Sequence, residues 1–135
     1  MARPKKNVPA PAPLSDNAAR EEFPHDWTDI CGHVEIIRRL RALAAAERLP
    51  HALLFCGMEG VGKRRTARVL ARTLLCTGGG DAPCGHCEAC RTMAAGVHPD
   101  YFETAPEVRG KSAAMIRTEA VRDILIAASG APVAG

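Results

Sequence analysis

The chain has 135 residues, of which 47% are apolar, 24% charged and 4% aromatic, with a formal net charge of +3. This is ordinary for one soluble globular domain with an aliphatic core. The charge is too mild to argue for nucleic-acid binding by itself, and no apolar run approaches the ~20 residues of a membrane span.

Residues 1–22 hold four prolines, several alanines and mixed charge, with almost nothing to bury, and read as a disordered arm. Arg3, Lys5 and Lys6 are not followed by an apolar stretch, so the arm does not read as a secretory signal. A cytoplasmic protein is expected. A helix over 33–48 follows, with Ile36, Ile37, Leu40, Leu43 and Ala44 at helical spacing and Pro50 as its stop. The apolar run 51–56, HALLFC, predicts a strand buried on both faces, as in a parallel sheet.

Gly57, four residues, then Gly62-Lys63 fits the first seven positions of a phosphate-binding loop. Glycines at Gly57, Gly60 and Gly62 let the backbone curl so that N–H groups share one cup, and Lys63 would reach the outer phosphates. The strand before it and a helix over 62–76 behind it are the context such a loop needs. A glycine-rich turn that merely joins strand to helix is the plainer alternative. The next position is Arg64, where such loops place the Ser or Thr that ligates magnesium. A guanidinium has no lone pair for a cation. No later apolar strand ends in an acidic residue after 105. The expectation is therefore weak or absent ATP binding and no hydrolysis by this chain alone.

Along the helix 62–76, Ala67, Leu70, Ala71, Leu74 and Leu75 read as the core face. Arg65, Arg68 and Arg72 share another face, which reads as a solvated surface. The glycine-rich TGGGDAPCGHC then breaks the helix. Of six cysteines, Cys76, Cys84, Cys87 and Cys90 form the spacing C-x7-C-x2-C-x2-C. Two-residue spacings let tight turns aim sulfurs at one point, and four thiolates suit a closed structural zinc site. The pattern leaves open His86 as a substitute ligand, an iron–sulfur cluster, or chance clustering of reduced thiols. Four thiolates around Zn²⁺ leave a local charge of about −2, which Arg91 is placed to soften. Cys31 and Cys56 read as small buried hydrophobes. A short helix over 88–95, a strand over 100–105, a polar loop over 106–115 and a helix over 119–128 capped by Thr118 complete the chain. Val121, Ile124, Leu125 and Ala128 share one face of that last helix.

Together, HALLFCGMEGVGKRRTARVLARTLLC, CGHCEAC, HPDYFETAPE and IRTEAVRDI resemble the amino-terminal part of bacterial clamp-loader subunits, AAA+ proteins of the DNA polymerase III holoenzyme. The resemblance covers roughly 27–125 and is nearer the delta prime type than gamma/tau, through His98-Pro99-Asp100-Tyr101, Ala105-Pro106-Glu107 and the departure at Arg64. It implies an α/β fold: a P-loop, three-layer parallel sheet of AAA+ type over 23–135, truncated, with an inserted zinc module at 76–90. It implies nucleotide-binding positions at Gly57, Gly60, Gly62, Lys63 and Arg64, and zinc ligands at Cys76, Cys84, Cys87 and Cys90. It further implies a stator role in loading the sliding clamp on primer-template DNA, beside gamma/tau and delta subunits. The later family motifs, including the trans-acting arginine and the collar, have no matching positions here. The other readings are a gamma/tau-type ATPase, a zinc-containing DNA-binding module and, more remotely, a small-molecule kinase.

Overall fold

Asp26 starts the first turn. Its carboxylate accepts the Thr28 backbone N–H at 2.6 Å and the Thr28 hydroxyl at 2.5 Å, capping a single 3-10 turn, Trp27–Asp29. The hydroxyl first, then the N–H, holds the Asp26 carboxyl below its ordinary value. The turn delivers Trp27 and Ile30 to a small core with Leu40, Val69 and Leu70, against which Ile37, Ala44, Leu49 and Phe55 pack. The computed structural model describes residues 22–79, 83–106 and 115–130. The arm read at 1–22 lies outside them except for Glu22, as does most of the 106–115 loop.

Among the described residues four helices follow: α1 (Val34–Ala45), α2 (Lys63–Leu75), α3 (Glu88–Ala94) and α4 (Thr118–Ala128). Residues Phe23–Tyr101 form one compact unit in which α2 packs against both α1 and α3. Helix α4 belongs to a second unit. There Arg117, in extended backbone, is the N-cap, and Thr118 is the first helical residue rather than the cap. Val121, Leu125 and Ile126 of α4 are exposed.

Helix α1 ends before Pro50 acts. The Arg48 N–H donates to the Leu43 carbonyl at 2.9 Å and the Glu47 N–H to the Ala44 carbonyl at 3.1 Å, with Glu47 left-handed at φ 53°. This is the six-to-one plus five-to-two closure normally built on glycine. Helix α3 ends in the same way, with Gly96 at φ 70° in the equivalent place. Glu47→Gly is therefore expected to stabilise the chain by ~0.5–1 kcal/mol, because a Cβ in this conformation is strained. Urea unfolding measures it; a loss of stability would mean that Glu47 makes a compensating contact.

The expected parallel sheet is not what the described residues hold: they contain no strand. Residues 51–56 and 101–106 run without a ladder, and Leu54, expected to be buried, is 88% exposed. Apolar content alone does not make a strand, whose N–H and C=O groups need neighbours on both edges. Those neighbours are not among the described residues. Cys31 and Cys56, expected inside, are also exposed.

The arginine stripe of α2 is a second correction. Arg68 and Arg72 are each 2% exposed, while Leu74, assigned to the core face, is 57% exposed. The helix buries Thr66, Arg68, Val69, Leu70 and Arg72: Val69 and Leu70 pack with Trp27, Ile30 and Leu40, while Arg68 lies against Phe23 and Arg72 against Pro24. The Arg68 guanidinium carbon sits 5.2 Å from the centroid of the Phe23 ring, which meets Tyr101 edge-on at 5.9 Å.

Candidate metal centre and phosphate loop

Three parts of the chain bring the four sulfurs together. Cys76 is the C-cap of α2, Cys84 and Cys87 flank the knuckle turn, and Cys90 lies in the first turn of α3. Gly85, at φ 79°, allows that knuckle. The four Sγ atoms lie within 4.8 Å of one another, and Cys76 Sγ and Cys87 Sγ are 4.0 Å apart. A tetrahedron with ~2.3 Å metal–sulfur bonds has edges of ~3.8 Å. A disulfide needs ~2.05 Å, so none joins these thiols, and all four are free.

The surrounding backbone is arranged for thiolate. The Cys84 N–H donates to Cys76 Sγ, the Cys87 N–H to Cys84 Sγ and the Cys90 N–H to Cys87 Sγ, each at 3.4 Å. A Cβ on Gly78 would stand 2.4 Å from Cys84 Sγ, so the chain passes over the sulfurs only where no side chain intervenes. The N–H groups of Cys87 and His86 lower the Cys84 thiol. Burial works to raise Cys87, but donors from Cys90 and Thr77 prevail and bring it down to about 5. Burial pushes Cys90 up to about 11, against the Gly85 N–H and the Arg72 guanidinium. Such a set could hold one tetrahedral, sulfur-loving cation such as zinc, with no position left for substrate.

The alternatives narrow. His86 turns its Nδ1 to the Cys84 carbonyl at 2.9 Å, is exposed, and lies outside the four-sulfur group. The closeness of all four sulfurs suits a single ion better than a cluster of several irons. Arg91, expected to soften the charge, is exposed, whereas Arg72, read as surface, is buried and works to lower the Cys90 thiol. Helical spacing could have flagged Arg72: it lies four residues before Cys76, the C-cap of the same helix.

The phosphate-loop residues stand in order before α2. Gly60 and Gly62 are left-handed at φ 78° and 94°, and Gly62 is the helix N-cap. Lys63 folds back, donating from Nζ to the carbonyls of Gly57 at 2.9 Å and Met58 at 2.7 Å. Arg64 is the second residue of α2 and half-buried. The nearest hydroxyl downstream, Thr66, donates to the Gly62 carbonyl at 2.9 Å and is 8% exposed. It is therefore committed to the helix and does not replace the missing Ser or Thr.

The family described as DNA polymerase III, delta subunit, matches residues 32–135. The DNA polymerase III subunit delta' of Pseudomonas aeruginosa is 46% identical over 76 residues, 56% of this chain and 22% of that protein. Subunit delta' of Escherichia coli is 41% identical over 87 residues, 64% of this chain and 25% of that protein. Subunit tau of Escherichia coli is 35% identical over 118 residues, 87% of this chain and 17% of that protein. The chain thus spans a quarter or less of the length of these relatives. Since the family match takes in the loop, α2 and all four cysteines, the chain belongs to the DNA polymerase III delta subunit family.

Proposed function

We propose that the chain carries the phosphate-loop and zinc part of a delta-prime-type clamp-loader subunit, with a stator role in loading the sliding clamp during DNA replication. The observation that carries this reading is Arg64 after Gly62-Lys63, on the helix that ends at the cysteine centre. A charged guanidinium replaces the magnesium-binding hydroxyl, while the scaffold around it is kept. Zinc is the resident ion of Cys76, Cys84, Cys87 and Cys90 in this reading, and ATP binds weakly or not at all at Gly57, Gly60, Gly62, Lys63 and Arg64. The partners are gamma/tau and delta subunits, with the sliding clamp and primer-template DNA engaged through them, in the cytoplasm. The run 51–56 becomes a strand of an AAA+ sheet once it has strand neighbours; its exposed Leu53 and Leu54 support this. No described helix is long and apolar enough to cross a membrane.

A gamma/tau-type ATPase is the second reading, favoured by the subunit tau match over 87% of the chain. Titration with a fluorescent ATP analogue, with and without magnesium, separates the two. The delta-prime reading expects no turnover and less than about a twofold effect of magnesium, with a larger magnesium effect in Arg64→Thr. Magnesium-dependent hydrolysis by the native chain would favour the second reading. Capture by purified gamma/tau and delta tests the scaffold role directly. Salt-dependent binding to DNA without those subunits would point instead to a DNA-binding module.

A further inference from the structure

The four sulfurs of the centre are not equally reachable. Cys90 is 0% exposed, whereas Cys76, Cys84 and Cys87 are half-buried. Cys76 Sγ and Cys87 Sγ stand 4.0 Å apart, about 2 Å more than a disulfide bond. Both belong to residues that flank helices rather than fill them. Cys76 is the C-cap of α2 and Cys87 the N-cap of α3, each in extended backbone. Either can shift without opening a helical turn. Cys90, in the first turn of α3, cannot.

The chain between the two gives further room. Gly78, Gly79 and Gly85 lie on the connection 77–86, with Gly79 and Gly85 left-handed at φ 66° and 79°. Cys84 is placed differently. Its Sγ lies against Gly78, where an added Cβ would come within 2.4 Å, and it accepts the Cys87 N–H at 3.4 Å. The pair that a small oxidant can reach, and that has freedom to close, is Cys76 with Cys87.

We propose that Cys76 and Cys87 are an oxidisable pair within the four-cysteine centre, which a hydroperoxide closes to a disulfide with release of the bound metal. The proposal rests on the metal reading above. One thiolate attacks the peroxide: a sulfur–oxygen bond forms, the oxygen–oxygen bond breaks, and hydroxide leaves and is protonated to water. The second thiolate attacks that sulfenic sulfur: the sulfur–sulfur bond forms, the sulfur–oxygen bond breaks, and a second water leaves. The two sulfurs lose two electrons, the peroxide gains them, and two protons are taken up. Cys84 and Cys90 alone do not complete a tetrahedral site, so the ion departs. The new bond ties the end of α2 to the start of α3, so the packing of those helices survives the loss. A dithiol reverses the step by exchange and becomes the disulfide itself.

The test uses the full zinc-loaded chain and a variant, Cys31→Ser with Cys56→Ser, that lacks the two exposed thiols outside the centre. Hydrogen peroxide is titrated in with a chromogenic chelator present. Alkylation under denaturing conditions and peptide mass mapping then locate the disulfide. In the variant about one zinc is expected to leave per peroxide consumed. In both chains the link should join Cys76 to Cys87, with Cys84 and Cys90 alkylated. Helical circular dichroism should hold, and a dithiol should restore zinc uptake to its starting level. If the variant does not fold, the map of the native chain decides. A disulfide through Cys84 or Cys90 in place of that link would overturn the proposal. Zinc retained through a large excess of peroxide would do the same, as would zinc loss with Cys87 oxidised only to sulfinic acid. A chain that takes up no zinc before peroxide is added overturns the metal reading instead. Mapping the oxidised metal-free chain then still decides whether Cys76 and Cys87 pair.

Discussion

One zinc ion per chain, lost on Cys84→Ser, is the expected result of metal analysis on the purified protein. Zinc at a hundredfold excess over its dissociation constant should add ~2.7 kcal/mol to stability and raise the melting temperature by on the order of 10 °C. Cys84 is the informative position because the knuckle depends on it from two sides. Its sulfur accepts the Cys87 N–H, and its own N–H donates to Cys76 Sγ. Serine keeps the size but gives a harder, far less acidic donor, so both the ion and the thiolate–amide bonds are lost. Structural zinc is worth ~10–16 kcal/mol of apparent binding free energy in small zinc-folded peptides, so loss of one ligand is not a small perturbation. Gly78→Ala reaches the same point from outside the ligand set. Its Cβ would fall 2.4 Å from Cys84 Sγ and 2.9 Å from Cys84 Cβ, so the loop or the sulfur must move. The expected order of zinc content is native, then Gly78→Ala, then Cys84→Ser. Full zinc occupancy in Cys84→Ser would show that this sulfur is not a ligand.

The contrast between the two halves of the site shows what the sequence made legible. The cysteine spacing constrains geometry locally: two-residue intervals, a glycine in the knuckle and a helix end at Cys76 leave little freedom, and the sulfurs converge as expected. The family was equally legible, because the loop and the cysteines come in one order at one spacing. The sheet was not. A strand is a property of at least two segments, and HALLFC signals apolarity without naming a neighbour. The end of α1 was misplaced because Pro50 looks like a stop, whereas the helix closes earlier through Glu47, a residue with no reputation for left-handed backbone. The arginines of α2 failed for a related reason. Periodicity finds faces, but what covers each face is decided by distant residues, here Phe23 and Pro24.

Arg68 turns that last point into a measurement. If the stripe were solvated, Arg65→Ala and Arg68→Ala would each change stability by no more than ~0.5 kcal/mol. The structure separates them: Arg65 is half-buried, while Arg68 is 2% exposed and stacks over Phe23. Truncating Arg68 removes a long buried stem as well as a charge, so the loss includes packing around the vacated volume. Arg68→Ala is expected to cost ~2–4 kcal/mol in urea unfolding, with Arg65→Ala near the surface value. Arg68→Met should recover part of the loss, since it fills the space without burying a charge. Phe23→Leu should cost less than Arg68→Ala, and the two together less than their sum, because each removes the same ~0.5–2 kcal/mol cation–π contact. Equal and negligible effects at Arg65 and Arg68 would return the stripe to the solvent and remove the Phe23 contact as a support of the fold.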